Sequence, residues 1–395
     1  MKKITMTPRI QTIGIDLGDK THRVCMLDAA GQVVLEGSVT NTKTALERMF
    51  STLPKALIAL EAGTHSPWIA PALQSWGHEV LVANPRKVKA ISASQNKTDR
   101  NDARLLARLA RADRELLSPI RHRAAGTQAD LALLKARHAL VKARTGLINH
   151  CRGIVKSLGG HLPSSSAESF HKLGDAVPPE LRQALEPLMR AIGETTTKIR
   201  QFERKIEALA EEKYPASERL RAPGGVGLLT ALAFMLVVED PARFDKSRQV
   251  GAYVGLAPAK DQSGTVDKQL HITKAGDGLL RALLVQCAQT ILRRNAKPCE
   301  LKRWGLKLAE RGGKAAKKRA VVAVARRLAV QMHRLWASGE TYDPFYATKR
   351  REAAEATKKQ SPERKTKTMN KAKPARVRRA KPAARARAGA VGPTG

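Results

Sequence analysis

The sequence predicts an α/β domain at the amino end, then a helical arm, a mostly helical third domain and a basic tail. Three observations carry that prediction. Between residues 9 and 125, short apolar runs of strand length alternate with segments of helical period. From 126 to 216, apolar residues recur every three or four positions over two long stretches. After about residue 349 the apolar period vanishes, and 16 Lys or Arg stand against 3 acids.

The elements follow in order. Gln-Thr-Ile-Gly-Ile-Asp (11–16) is an apolar run whose core, Ile13–Asp16, reads as a first strand. Arg23–Leu27 and Gln32–Ser38 flank the short turn Asp28-Ala-Ala-Gly31, which predicts a hairpin. Thr42–Ser51 has helical spacing, and Ala56–Glu61 reads as a buried strand. Pro67–Trp76 is a helix ending near Gly77, and Glu79–Ala83 is a strand stopped by Asn84-Pro85. Asp102–Ala112 resumes a helix rich in Leu, Ala and Arg. Three strands joined antiparallel, then β-α-β and a helix, is the order of an RNase H-like fold.

In the arm, residues 128–158 and 178–213 are long helical patterns. Leu131, Leu134, His138, Val141 and Thr145 form one stripe. Leu185, Met189, Ile192, Ile199, Phe202, Ile206 and Leu209 form the other. An antiparallel hairpin or coiled coil fits, and it either joins two subunits or is a plain linker; spacing does not separate these. Residues 217–345 read as a third, mostly helical unit with helices at 276–294 and 314–337. The tail, 346–395, is dominated by Ala, Pro and basic residues and is expected to be disordered. It either adds nonspecific nucleic-acid affinity or only solubilises.

The 395 residues suffice for two or three domains, and 42% apolar content supports real cores. The 72 Lys and Arg exceed 35 Asp and Glu, giving a formal net charge of +37. Such a chain is drawn to phosphate backbones or anionic membranes. No run approaches the roughly 18 apolar residues that would span a bilayer, and the amino terminus lacks signal-peptide features. Nucleic acid, in the cytoplasm and beside the nucleoid, is the expected setting, with no membrane. Cys25, Cys151, Cys287 and Cys299 show no Cys-x-x-Cys pair, so neither zinc nor a disulfide framework is expected.

Against this basic background four acids stand out. Asp16 and Glu61 each close an apolar run, and Asp99 and Asp102 are spaced i, i+3 at a helix start. Strand ends can bring the first two together, and one helix face can present the others to them. Divalent ions held by such carboxylates suit phosphodiester chemistry, in which charge at phosphorus must be neutralised. Taken singly, an Asp after a strand is more often a cap or turn residue, and Asp102 fits a helix start. The run Ile13–Gly18 also opens actin-like sugar kinases and chaperone ATPases, but their later Asp-x-Gly-Gly-Gly loop is absent from the sequence.

Two other segments bear on phosphates. Gly224, Gly225 and Gly227 precede an apolar helix, Leu228–Val238, and their backbone N–H groups could grip a phosphate. An ordinary glycine-rich helix entry explains them as well. Ser263 lies in a polar stretch among Lys260, Lys268, His271, Lys274 and Arg281. A serine hydroxyl held among cations can attack phosphorus, yet by spacing alone Ser263 is a turn residue.

In combination these motifs resemble the DEDD-type transposases of the IS-one-ten insertion sequences, relatives of the Piv DNA invertases. The resemblance runs from about residue 11 to 345. It rests on Gly14-Ile-Asp16, Leu60-Glu61-Ala-Gly63, Asn84-Pro85, Lys97-Thr-Asp99-x-x-Asp102-Ala and Ala222-Pro-Gly-Gly-Val-Gly227. Further on come Phe244, Tyr253-Val-Gly-Leu-x-Pro258, Gln262-Ser-Gly264, Ile272-Thr-Lys-x-Gly276 and Leu280-Arg281. The resemblance implies a RuvC-like metal domain, a coiled-coil arm and a transposase domain. It implies that Asp16, Glu61, Asp99 and Asp102 bind Mg²⁺ or Mn²⁺ and that Ser263 forms a transient phosphoserine link to DNA. It further implies donor and target DNA, a structured bridge RNA, and a dimer or tetramer with composite sites. RNA guidance would account for a basic protein without a recognisable helix-turn-helix. The tail lies outside the family pattern, and Asp277 stands where many relatives carry Asn. Two other functions stay open: a junction-resolvase-like nuclease using water, and a non-catalytic nucleic-acid-binding protein.

Overall fold

The computed structural model describes residues 10–91, 98–346, 348–350, 352 and 353. Residues up to Pro344 form one compact unit, and a second begins at Phe345. Of the second, a helical turn is described, with Lys349 N–H donating to the Phe345 carbonyl at 3.0 Å. Most of the expected basic tail lies outside the described residues.

The amino-terminal part is a mixed five-stranded sheet. Strands β1 (Thr12–Asp16), β2 (Thr21–Leu27) and β3 (Val33–Thr40) form an antiparallel meander. Helix α1 (Lys43–Phe50) then leads to β4 (Leu57–Glu61), α2 (Ser66–Ser75) and β5 (Glu79–Ala83). Both β4 and β5 run parallel to β1, and the strand order is β3-β2-β1-β4-β5. This is consistent with the RNase H-like expectation. Alternation along the strands gives the sheet two different faces. Ile13, Ile15, Ile58, Leu60 and Val82 pack on Leu46, Phe50, Ile69 and Leu73 of α1 and α2. On the other face Ala59, Ala83, Cys25 and Leu27 meet α4 (Asp99–Ala112) through Ala103, Leu106, Ala107 and Ala110.

Asn84-Pro85 does not simply stop β5. It opens a helix, α3 (Pro85–Ile91): the Asn84 side chain accepts from Arg86 N–H at 3.1 Å, and proline at the first helical position lacks an N–H that would go unpaired. Helix α4 begins at Asp99, three residues before the expected start, because Thr98 caps it by accepting from Asn101 N–H at 3.3 Å.

The arm is an antiparallel pair of helices closed within one chain. Helices α5 (Ala125–Ser157) and α6 (Arg182–Lys213) bury Ile148, Cys151 and Val155 against Leu185, Met189 and Ile192. Arg137 binds Glu203, and Lys213 reaches Asp130 at 3.4 Å, which fixes the opposed directions. The stripe turns by one residue near its middle. Thr145 is exposed, whereas Arg144 is buried and donates to Thr196 Oγ1 at 3.1 Å. At its base Leu131, Leu134, Ile206 and Ala210 join the core of the following region.

That core is built round α8 (Leu228–Val238), which follows the short α7 (Ser217–Leu220) and is buried on all sides from Thr230 to Val238. Each of its buried Leu, Phe, Met and Val side chains contributes about 1.5–3 kcal/mol. Around it lie α9 (Arg248–Tyr253), α10 (Gly278–Ile291), α11 (Glu300–Ala309) and α12 (Gly313–Ser338). The region is mostly helical, but it also contains an antiparallel hairpin, β6 (Pro258–Ser263) and β7 (Val266–Ile272). Among the described residues, no helix is long and apolar enough to cross a membrane, and the four cysteines are free thiols.

Candidate active site at the carboxyl end of the sheet

The β1–β4 ladder pairs Gly14 with Ala59 and Ile15 with Leu60, so Asp16 and Glu61 are the next residues on neighbouring parallel strands. By the two-residue alternation both project onto the face that Gly14 presents, the face covered by α4. Gly14 is what lets that helix approach. A Cβ there would sit 2.0 Å from the Ala103 carbonyl oxygen and 2.6 Å from the Ala107 nitrogen.

The direction of α4 follows from its other end. Arg111 donates to the Ala29 carbonyl at 2.9 Å, in the β2–β3 turn at the opposite edge of the sheet. The first turn of α4, with Asp99 and Asp102, is therefore carried to the end where Asp16 and Glu61 emerge. Arg23, paired with Asp16, lines a cavity of about 350 Å³ together with Thr98, Asp99 and Arg100. Asp99 is exposed, whereas Asp16, Glu61 and Asp102 are half-buried. Lys97, part of the same motif, lies outside the described residues.

The structure thus brings all four acids to one end of the sheet. Among the described residues, no three His, Cys, Asp or Glu side chains close up far enough to hold an ion by themselves. The donor chemistry nonetheless fits a hard divalent ion. Mg²⁺ keeps several waters and takes one or two carboxylates plus substrate phosphate, so it needs no tight protein cage.

Helix α4 is also fastened sideways. Arg100 and Arg104, one turn apart, both bind Glu36 of β3, with Arg104 Nε donating at 2.9 Å. The Arg100 hydrogen bond, reinforced by Arg104, holds Glu36 below the usual carboxylate range. Sequence reasoning missed this contact, since Glu36 lies 64 and 68 residues before the two arginines.

The other expected contacts fall elsewhere. Ser263 is the last residue of β6, exposed at the hairpin tip beside Gly264, whose φ of +54° suits the turn. Lys260 stands 3.9 Å from Asp267 across the hairpin. Arg281 uses Nη1 to bracket the carbonyls of Val254 and Ala275 at 3.1 and 2.7 Å, a structural task. Lys274 adopts φ +52°, and its carbonyl accepts from Arg86 at 3.1 Å while that of Thr273 accepts at 2.8 Å. Arg86 was not anticipated; it ties the first turn of α3 to the base of the serine hairpin. Gly224 is exposed, Gly225 has φ +83°, and Gly227 caps α8. Gly225 and Gly227 border a cavity of about 390 Å³ that is also lined by Glu203 and Glu207, so carboxylates share it with the helix start.

Comparison with known proteins bears on the whole chain. Residues 13–159 match a family model of the DEDD IS110 type described as "Transposase". Residues 217–303 match one described as "Transposase IS116/IS110/IS902 family". The chain is 30% identical over 342 residues to the transposase for insertion sequence element IS1111A of Coxiella burnetii, covering 84% of this chain and 91% of the relative. It is 30% identical over 344 residues to a putative transposase, y4pF/y4sB, of Sinorhizobium fredii, covering 85% and 86%. A pilin gene-inverting protein of Moraxella lacunata is 25% identical over 327 residues, covering 80% and 92%. The chain belongs to the IS110/IS116/IS902 family of transposases and is an enzyme of DNA transposition.

Proposed function

We propose that Asp16, Glu61, Asp99 and Asp102 hold Mg²⁺ or Mn²⁺ in a RuvC-like domain and that Ser263 is the nucleophile of a site-specific recombination. Membership of a DEDD family implies metal-dependent catalysis. The observation that carries the site assignment is the β1–β4 register together with the Gly14–Ala103 approach, which set two strand-end and two helix-turn carboxylates at one sheet end. Bound there, an ion neutralises charge on the scissile phosphate.

Ser263 Oγ loses its proton and forms a bond to phosphorus, while the bond from phosphorus to the departing DNA oxygen breaks and that oxygen takes up a proton. The phosphoserine so formed conserves the phosphodiester's energy, and a DNA hydroxyl reverses the step on a new strand. No high-energy cofactor is consumed. Because Ser263 stands on an exposed hairpin tip, it suits presentation to acids on another subunit, which is the composite-site reading of a dimer or tetramer.

Positive charge of +37 supports binding to donor and target DNA and to a structured bridge RNA that carries the sequence specificity. Lys260, Lys274 and the N–H groups at Gly224, Gly225 and Gly227 serve as backbone contacts, and Arg281 adds the part of its guanidinium that the bracket leaves over. Ser263→Ala tests the reading directly. It should yield no covalent protein–DNA adduct and no recombination. Wild-type recombination by that variant would overturn the nucleophile assignment, and cleavage without an adduct would favour hydrolysis by water.

A further inference from the structure

The loops that leave Asp16 and Glu61 are joined to each other by a polar network that the proposed chemistry does not use. The first loop runs 17–20 and the second 62–65. Across the gap, His65 Nε2 lies 3.2 Å from Asp19 Oδ1. Asn41, just past β3, donates to the Asp19 carbonyl at 2.9 Å and lies 3.3 Å from the His65 ring nitrogens. Its Oδ1 is 3.1 Å from His22 Nε2, and its own N–H donates to the Lys20 carbonyl at 2.9 Å. His22 is fully buried on β2, whereas the Asp19 side chain is 94% exposed.

One assignment of protons satisfies the contacts that join the loops, although His22 Nδ1 is left without a hydrogen bond and Asn41 Nδ2 also lies 3.3 Å from His65 Nε2. His22 Nε2–H gives to the Asn41 carbonyl oxygen, the Asn41 amide gives to Asp19 and to His65 Nδ1, and His65 Nε2–H gives to the Asp19 carboxylate. The network therefore starts from an anchor in the core and ends on two loops, one three residues past Asp16 and one four residues past Glu61. The last residues paired in the β1–β4 ladder are Ile15 and Leu60. Asp16 and Glu61 each remain paired on their outer side, with Arg23 and Ala83, but not with each other, so the loops that follow them add to what sets their separation.

We propose that Asp19, Asn41 and His65, anchored on His22, are positioning residues for transposition: they clamp the two loops and fix the spacing of the Asp16 and Glu61 carboxylates. The clamp rests on the reading that those carboxylates hold a divalent ion. Outer partners that orient metal-binding groups typically change affinity by about 10–100-fold when removed.

The test uses the full chain without DNA. Mn²⁺ binding is followed by electron paramagnetic resonance, and hydrogen exchange is followed at residues 17–20 and 62–65. His65→Ala should weaken Mn²⁺ binding by about 10–100-fold and speed exchange in both loops. His65→Gln, which keeps a donor and an acceptor, should restore both. If His65→Ala does not fold, Asp19→Ala serves, since that side chain is largely in solvent. Asp16→Asn is measured alongside. Should Asp16→Asn lose Mn²⁺ while His65→Ala and Asp19→Ala bind as wild type, the clamp is wrong and the metal assignment stands. Unchanged Mn²⁺ binding by Asp16→Asn would overturn the metal assignment and the clamp with it.

Discussion

The acids and the serine occupy opposite kinds of place. Asp16 and Glu61 end two central strands, and Ile13, Ile15, Ile58 and Leu60 just before them are fully buried. Ser263 ends the first strand of an isolated two-stranded hairpin whose residues 261–265 are all exposed. Carboxylates that hold an ion must keep a fixed spacing, and a packed sheet supplies it. A nucleophile that must reach a phosphate, and later release it, is better served by an element with few buried contacts. On this view the molecule separates a rigid half-site from a movable one.

The largest effects should come from removing either half. Asp16→Asn and Glu61→Gln should each slow strand cleavage by about a hundredfold or more, since bound metal supplies several kcal/mol at the transition state. Gel-shift assays should show nucleic-acid binding retained. Gly14→Ala attacks the rigid half through packing. Its Cβ would meet the Ala103 carbonyl oxygen at 2.0 Å, and overpacking of this kind costs about 1–3 kcal/mol. A lower melting temperature together with weaker Mn²⁺ binding would tie α4's seat to the site; a normal melt would show that the helix can shift cheaply.

Arg86→Ala probes the link between the halves. It removes two hydrogen bonds to the base of the hairpin, each worth about 0.5–1.5 kcal/mol, and should raise hydrogen exchange over residues 273–275. Equal exchange in variant and wild type would mean that the contact holds nothing in place.

Tyr214→Phe should have the smallest effect on chemistry and a clear one on pH. Burial, reinforced by the 2.8 Å hydrogen bond to Asp130, pushes the Tyr214 phenol up to about 12. A folded value above the unfolded one, roughly 10, means that this contribution is full below pH of about 10 and is lost as pH rises towards 12. The variant should lose about 1–3 kcal/mol at neutral pH and show a shallower alkaline decline in urea melts. An unchanged alkaline profile would remove Tyr214 from the explanation.

Much of the rigid half was legible in the sequence because its signals are local. Strand-length apolar runs ending in Asp16 and Glu61, and the i, i+3 pair Asp99 and Asp102, state their elements directly. The glycine of Gly14-Ile-Asp16 also had a reason, but only the approach of Ala103 from 89 residues away reveals it. The hairpin was missed, and Ser263 was read as a turn residue in a polar stretch, because β6 is polar throughout after Ala259 and β7 opens Val-Asp-Lys-Gln, which leaves too few apolar residues to mark a strand. Arg86, Asn41 and His65 were unreadable for another cause. Their partners lie 187, 22 and 46 residues away in the chain, and no spacing rule connects them. Arg144 in place of Thr145 shows a milder failure, where a long stripe drifts by one position against an ideal period.

Mixing two inactive chains tests most directly whether the acids and the serine are two halves of one site. Asp16→Asn retains Ser263 without a complete acid set, and Ser263→Ala retains the acids without the nucleophile. Combined with DNA and the bridge RNA proposed above, the mixture should regain covalent protein–DNA adducts, all of them on the Asp16→Asn chain. A mixture as inert as either variant alone would contradict a composite site and return the serine, or its role, to a single chain.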